Sequence, residues 1–351
     1  MPPIRPMQAT SRPRRPTMTD IAREAGVSQS TVSLVLNDVR GAKLSRHTRD
    51  NVLRIARAIG YPLERHVQSA ARQARNLIVY LTDELSTSPH TMQTIDGAKD
   101  GAWDQDCLLA VFATRSDPAY EHAVLTQMQG SPALLGVIYS TIFTRAATLP
   151  ALLGGVPTVL LNCHTRERDH CSVVPGEVLG GYAATLHLIE AGHRRIGFIN
   201  GEPWLDAAAD RLKGYRQALS TADIPFDPEL VCEGNWQVSG GFEHALALLS
   251  RPRRPTALFC ANDLMAVGAM DAARKLKLDI PEQLSIVGYD DQDIASYTQP
   301  PLTTVLLPNY DMGRWAAATL IAEARSGAPS RRANIKIDCP LVVRGSVAAL
   351  V

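Results

Sequence analysis

Aromatic side chains make up 5% of this 351-residue chain, cysteines number only six, and no run of 18 apolar residues occurs anywhere. The missing apolar run excludes an expected membrane-spanning helix. The cysteines, at 107, 163, 171, 232, 260 and 339, form no CxxC pair in a chain too long to need disulfide staples, so reduced thiols in a cytoplasm are expected. One cluster, "CHTRERDHC", gathers Cys163, His164, His170 and Cys171, but its spacing matches no standard zinc finger, and no metal or cofactor is expected. The chain also lacks GxSxG, HExxH and Walker sequences, and "GEVLGG" is not a dinucleotide fingerprint. The neighbouring carboxylates Asp290 and Asp291 share one loop and do not by themselves form an acid and a nucleophile across a bond. An enzyme is therefore not expected.

Net charge is nearly absent as well, at +1, yet it is unevenly divided. Residues 1–75 hold 14 Arg or Lys against 5 Asp or Glu, while the remainder holds 22 against 30. A basic block ahead of an acidic body points toward a polyanion whose binding falls with salt. The opening "MPPIRPMQATSRPRRPT" is rich in proline and arginine without a secretory apolar core, so residues 1–16 read as a disordered basic arm.

Three short helices follow. Thr17 is placed to cap the first, with Asp20 three residues on, Ile21, Ala22 and Ala25 inward and Gly26 at its end. Ser28 caps the second. There Val32, Val35 and Leu36 share one face, leaving Gln29, Ser30, Ser33 and Leu34 on the other. Ser45 caps the third, whose Val52, Ile55, Ala56 and Ile59 repeat the apolar spacing before Gly60. Two short helices joined by a glycine-containing turn and braced by a third make a helix-turn-helix over residues 17–62.

The stretches "TMTDIAREAGVSQSTVSLVLN" and "LSRHTRDNVLRIARAIGY" resemble the headpiece of the lactose and galactose repressor (LacI/GalR) family. That resemblance implies a second helix in the major groove of double-stranded DNA, with Gln29, Ser30 and Leu34 approaching base edges. Thr17, Met18, Ser28, Thr31, Ser33, Asn37 and Arg49 complete the expected DNA contacts. Leu34 stands where the family usually has arginine, which reduces direct reading of guanine. Residues 63–75 match the family hinge, and its minor-groove wedge position carries Ala70, too small to pry apart a base step. Arg65, Arg72 and Arg75 are expected to hold backbone or a narrow minor groove, with less bending.

From Asn76 onward, strand runs such as "NLIVYLTD", "LLGVIYS", "PTVLLN", "RIGFING", "TALFCAND" and "LSIVGYDD" alternate with amphipathic helices. This pattern predicts an α/β core of parallel sheet covered on both faces. Polar residues collect at the strand ends: Asp83, Ser140, Asn162, Asn262 with Asp263, and Asp290. Ligands bind such sheets at those ends. The motifs "HLIEAGHRRIGFING", "CANDLMAVGAMDAARKL" and "PPLTTVLLPNYDMGRWAA" extend the resemblance over nearly the whole chain. They imply two doubly wound lobes resembling a periplasmic sugar-binding protein, the first over about 76–175 and 307–335, the second over 176–306 and 336–351. By the same likeness Arg211, Asn262 and Asp290 hold an effector, Trp236 lies against it, and Asn162 replaces an aspartate of some sugar-responsive members. Arg, Asn and Asp offer paired hydrogen bonds to vicinal hydroxyls while an indole covers a ring's C–H face, which suits a sugar. A purine or another metabolite is the alternative. No trailing heptad repeat follows "RGSVAALV", so a homodimer is expected. A ligand-regulated repressor accounts for headpiece, charge and cleft together, whereas a solute-binding receptor accounts for the cleft alone.

Overall fold

The computed structural model describes residues 16–36, 45–59, 61, 76–85, 89–326 and 333–350. Chain contacts divide it into two compact units, residues 1–75 and 76–351.

The first unit contains α1 (Met18–Ala25), α2 (Gln29–Leu36) and α3 (Arg46–Ala58). Thr17 and Asp20 form a capping box: the Thr17 hydroxyl accepts from the Asp20 backbone N–H at 3.3 Å, and the Thr17 N–H donates to the Asp20 carboxylate at 2.9 Å. Gly26 ends α1 at φ +66°, a left-handed conformation that glycine adopts without steric cost. Ser28 and Ser45 accept from the backbone N–H of Thr31 and Thr48, each at 3.0 Å, and so start α2 and α3. The core is small: Ile21, Ala22, Val32, Val35, Leu36, Val52, Ile55 and Ala56 are buried together. The Asn51 amide adds a bond to the Ala25 carbonyl at 3.5 Å, tying α3 to the end of α1. Gly60 and the hinge 63–75 lie outside the described residues.

The second unit begins with β1 (Leu77–Thr82), α4 (Pro89–Trp103), β2 (Leu108–Ala113), α5 (Pro118–Gln129), β3 (Leu134–Ala146), β4 (Thr158–His164) and β5 (Cys171–Pro175). There follow α6 (Glu177–Glu190), β6 (Ile196–Asn200), α7 (Asp206–Thr221), β7 (Val231–Glu233), α8 (Val238–Leu249), β8 (Ala257–Cys260), α9 (Asp263–Lys275) and β9 (Ser285–Val287). The last elements are α10 (Asp293–Tyr297), β10 (Thr304–Val305), α11 (Asn309–Ser326), β11 (Asn334–Ile337) and β12 (Leu341–Val342).

These strands make two parallel sheets, ordered β11-β5-β4-β3-β1-β2 and β7-β6-β8-β9, and an antiparallel β10-β12 pair. Strand β1 shows why both faces are covered. Ile78 and Tyr80 enter a cluster with Ala98 and Ala102 of α4 and Met312 and Leu320 of α11, whereas Val79 and Leu81 pack on Val124 and Leu125 of α5. Alternate residues thus serve opposite layers, and the strand reads as a continuous apolar run. The second sheet rests in one large core that includes Phe198, Tyr215, Phe259 and Tyr289.

The chain passes between lobes three times, near residues 176, 306–308 and 338–340. Because β11 pairs with β5 through Ile337↔Pro175, the first lobe runs two residues past the expected 335. Strand β5, "CSVVP", carries neither alternation nor a long apolar run, so its sequence alone has no strand signature. Helices α6 and α7 pack closely: a Cβ on Gly214 would stand 2.2 Å from the Val178 carbonyl oxygen and 2.6 Å from the Tyr182 nitrogen. Only glycine permits that approach, and it sets Arg211 of α7 beside Glu177 of α6.

Candidate functional site

In the first unit, the outer side of α2 presents Gln29 and Ser30 exposed, with Thr31, Ser33 and Leu34 half-buried. Ser28 gathers the hydroxyls. Its oxygen lies 2.7 Å from that of Ser30 and 2.8 Å from that of Thr31, so a base edge must compete with these bonds. The Gln29 amide extends from the exposed face at the first residue of α2. Two other expected contacts have structural work: the Thr17 hydroxyl donates to Asp20 at 2.7 Å, and Met18 packs partly against the helical core. Arg49 is half-buried on α3. Asn37, Arg65, Ala70, Arg72 and Arg75 lie outside the described residues.

In the second unit, a cavity of about 300 Å³ opens between the lobes. Its first-lobe wall is Ile142, Phe143, Thr144 and Asn162, and its second-lobe wall includes Glu202, Arg211, Trp236, Asn262 and Asp290. Glu177 and Asn309 stand at two of the chain crossings and also line it. The first wall exists because β3 departs from the β4 register between Ser140 and Arg145. Asn162, at φ +57°, fixes that bulge: its amide donates to the carbonyls of Thr141 and Ile142, both at 3.0 Å, and its oxygen accepts from Thr144 at 2.6 Å. Its role is to hold Phe143 toward the cleft rather than to offer a spare amide.

Asn262 is occupied in a similar way. Its oxygen caps α9 by accepting from the Met265 N–H at 2.8 Å, and its amide donates to the Trp236 carbonyl at 2.9 Å. Trp236 itself sits at φ +61° with its ring against Gly201, where a Cβ would fall 1.8 Å from the indole. The Phe143 and Trp236 rings, one from each lobe, are 5.5 Å apart and tilted by 34°. Among the described residues the buried indole Nε1 has no hydrogen-bond partner, nor has Glu202 Oε2.

Arg211 is 3% exposed. Its Nε and Nη2 donate to the two Glu177 oxygens at 2.8 and 2.9 Å, its Nη1 donates to the Ala261 carbonyl, and Asp290 Oδ1 lies 3.7 Å from Nη1. The guanidinium also lies 3.7 Å from the Tyr289 ring centre and 5.6 Å from that of Trp236. Burial works against its charge, and the Glu177 carboxylate beside it more than restores the balance.

Three expected effector residues are not brought to this cavity. Asp83 accepts from the Ile142 N–H at 3.0 Å and pairs with Arg145 at 2.9 Å; Ser140 accepts from the Tyr80 hydroxyl at 3.0 Å. Both line a separate cavity of about 730 Å³ in the first lobe, with Glu121, His122 and Tyr139. Asp263 is fully buried and accepts from the Thr304 hydroxyl at 2.6 Å and the Gln292 N–H at 2.7 Å. Burial and the nearby Asp290 push its carboxyl well above the ordinary range. Its position one residue past Asn262 turns it behind the wall.

Sequence reasoning missed Phe143, Glu177 and Glu202. A phenylalanine just past the apolar run "LLGVIYS", in a chain with only six, is the available signal for the first. Glu177 reads locally as an ordinary acidic residue in a first helical turn, and its partner is 34 positions away. In "CHTRERDHC", the two cysteines are buried in β4 and β5, His164 pairs with Asp206 at 2.9 Å and His170 with Asp169 at 2.9 Å. Among the described residues no group of three His, Cys, Asp or Glu side chains is placed to hold a metal ion.

A three-helix unit with an exposed polar face on its second helix, joined in one chain to a two-lobed parallel-sheet core with an interlobe cavity, defines a regulator of the helix-turn-helix kind. Residues 17–62 match the model of bacterial regulatory proteins of the lacI family, and residues 185–347 match a periplasmic binding protein-like domain. The chain is 31% identical to the HTH-type transcriptional repressor CytR of Escherichia coli K12 over 98% of its length and 100% of that protein. It is 32% identical to the ribose operon repressor of Haemophilus influenzae over 95% of this chain and 99% of that one. Among solved structures, the transcriptional regulator CelR–cellobiose complex superposes with a TM-score of 0.67 at 29% identity, over 95% of this chain and 100% of that one. The lac repressor dimer bound to operator and the anti-inducer ONPF superposes at 0.69 and 25% identity, over 96% and 100%. The chain belongs to the lacI family.

Proposed function

We propose that this protein is a DNA-binding transcriptional repressor whose hold on its operator is set by a small molecule in the interlobe cleft. The observation that carries the reading is the exposed Gln29–Ser30 face of α2, braced by the buried Val32, Val35 and Leu36, in the same chain as that cleft. The likeness to the lac repressor dimer on its operator supports a homodimer on a near-palindromic site. A sugar or sugar derivative is the favoured effector. The aromatic pair Phe143 and Trp236 supports it, as do the ribose and cellobiose in the names of two relatives. A planar purine would use the same pair and is the second reading. The protein works by binding, without turnover, in the cytoplasm; among the described residues no helix is long and apolar enough to cross a membrane.

Selection of genomic fragments by the purified protein tests the proposal and points to the effector through the neighbouring genes. Gln29→Ala is expected to change preference at particular base pairs by about 1–3 kcal/mol, and Arg49→Ala to weaken all sequences alike and flatten the salt dependence. Indifference to every duplex at low ionic strength would refute the reading.

A further inference from the structure

Resting on the reading of the cleft as an effector site, we infer that it selects ligands without negative charge, and that Glu177 sets this selectivity by occupying Arg211. Among the described residues Arg211 is the one basic side chain of the cavity lining, against the carboxylates of Glu177, Glu202 and Asp290. Nor is the Arg211 charge available to a ligand. Its fork is matched at both Glu177 oxygens, a third donor goes to the Ala261 carbonyl, and one face of the guanidinium lies over Tyr289. A guanidinium paired in this way has its charge balanced by a carboxylate and three of its five N–H donors engaged. A phosphate would have to displace Glu177 inside a cavity where like charges repel more strongly than in water. Basic side chains adjoining lining residues in sequence or in contact are also engaged: Arg145, next to Thr144, faces Asp83 at 2.9 Å, and Arg344 faces Asp291, next to Asp290, at 2.7 Å.

What the cavity leaves unsatisfied has a different chemistry. Among the described residues Trp236 Nε1, a buried donor, meets no acceptor, and Glu202 Oε2, a buried acceptor, meets no donor. A ligand that offers an acceptor to the first, a hydroxyl or amine to the second and a flat face to Phe143 and Trp236 satisfies all three. An uncharged hydroxylated ring compound does so, whether a free sugar or a nucleoside. Its phosphate ester adds only repulsion.

The test is affinity-selection mass spectrometry of the full-length protein against a bacterial metabolite extract. Calorimetric titration of matched pairs follows, with ribose against ribose 5-phosphate and adenosine against AMP alongside whatever the extract yields. Retained compounds are expected to be uncharged or cationic, and each should bind at least about tenfold more tightly than its phosphorylated partner. Retention of a phosphate ester or another anion would overturn the charge assignment and leave the effector reading standing; an extract from which nothing is retained would overturn both. Glu177→Gln, with folding checked by circular dichroism and operator binding, should admit anions to the retained set, and an unchanged set would remove Glu177 from the role. Should that variant not fold, Glu202→Gln serves instead. It lowers the negative charge of the wall and should narrow the gap within each pair, and an undiminished gap would overturn the proposal.

Discussion

In the helix-turn-helix unit, the capping side chains are satisfied within one turn of chain, Thr17 by Asp20, Ser28 by Thr31 and Ser45 by Thr48, while Asn51 reaches farther, to Ala25. In the cleft the same kinds of group reach much farther, with Thr144 bonded to Asn162, Asn262 to Trp236, Arg211 to Glu177 and Arg211 to Ala261, across 18 to 50 positions. The first arrangement leaves an outer face available for a large partner, because local caps use up few side chains. The second uses many of its polar groups in holding the wall and, among the described residues of the lining, leaves Trp236 Nε1 and Glu202 Oε2 buried without a partner. A change in the headpiece should therefore cost what its own contact is worth. A change in the cleft should strand a partner that water cannot reach.

The sharpest way to break this contrast is Arg211→Ala. It leaves the 2%-exposed Glu177 carboxylate buried without its cation, and unfolding of the full chain in denaturant is expected to lose about 3–5 kcal/mol. Replacing both partners, Arg211→Met with Glu177→Leu, should recover most of that loss, because the cost lies in the stranded charge. A single-variant loss below about 1 kcal/mol would place this pair with exposed ion pairs and dissolve the distinction.

Ile21→Ala comes next. Ile21 is fully buried in a cluster of eight buried residues, with few neighbours able to move into the space. A loss of about 2–5 kcal/mol is expected. It should appear as unfolding of the small unit and loss of operator binding, with the thermal transition of the core unmoved. A shift of both transitions together would show that the two units fold as one.

Thr17→Ala is milder, at about 1 kcal/mol, since it removes one side of a capping box that water can replace. Loss of helical circular dichroism at moderate temperature checks it, and Thr17→Ser should restore the signal.

The same contrast explains what the sequence made legible. The caps at Thr17, Ser28 and Ser45 and the inward faces of α1 to α3 follow from spacings of three and four residues, so a local reading reaches them. The strand runs of the core are legible for the same reason, being continuous apolar stretches buried on both faces. The place of Asn162 and Asn262 after strands marks them as cleft residues, but their use as clamps on Phe143 and Trp236 depends on partners from other segments. Asp263 shows the limit most clearly. It has the right type and place for a ligand contact, yet a one-residue step turns it to Thr304, 41 positions on.

The smallest expected effect is one of pH, and it separates the units by which transition moves. His193 is 2% exposed in the second lobe, with Nδ1 3.0 Å from the Thr256 hydroxyl oxygen and Nε2 2.9 Å from that of Ser285. Burial holds its ionisation below the ordinary value of 6.5, with a backbone contact at Ala348 opposing it weakly. A neutral ring gives one nitrogen that donates and one that accepts, which two hydroxyls can match; an imidazolium would require both to accept. Between the lowered value and 6.5 the unfolded chain binds more protons than the folded one, so stability rises with pH across that interval. The contribution is fully present above 6.5 and is lost as the solution is acidified below it. The melting temperature of the core is thus expected to fall between pH 7 and about pH 5.5, and His193→Gln to reduce the slope. Half-buried His187, shifted in the same direction by desolvation, should supply part of what remains. A slope unaltered in the variant would assign the acid sensitivity to other groups and remove His193 from the account.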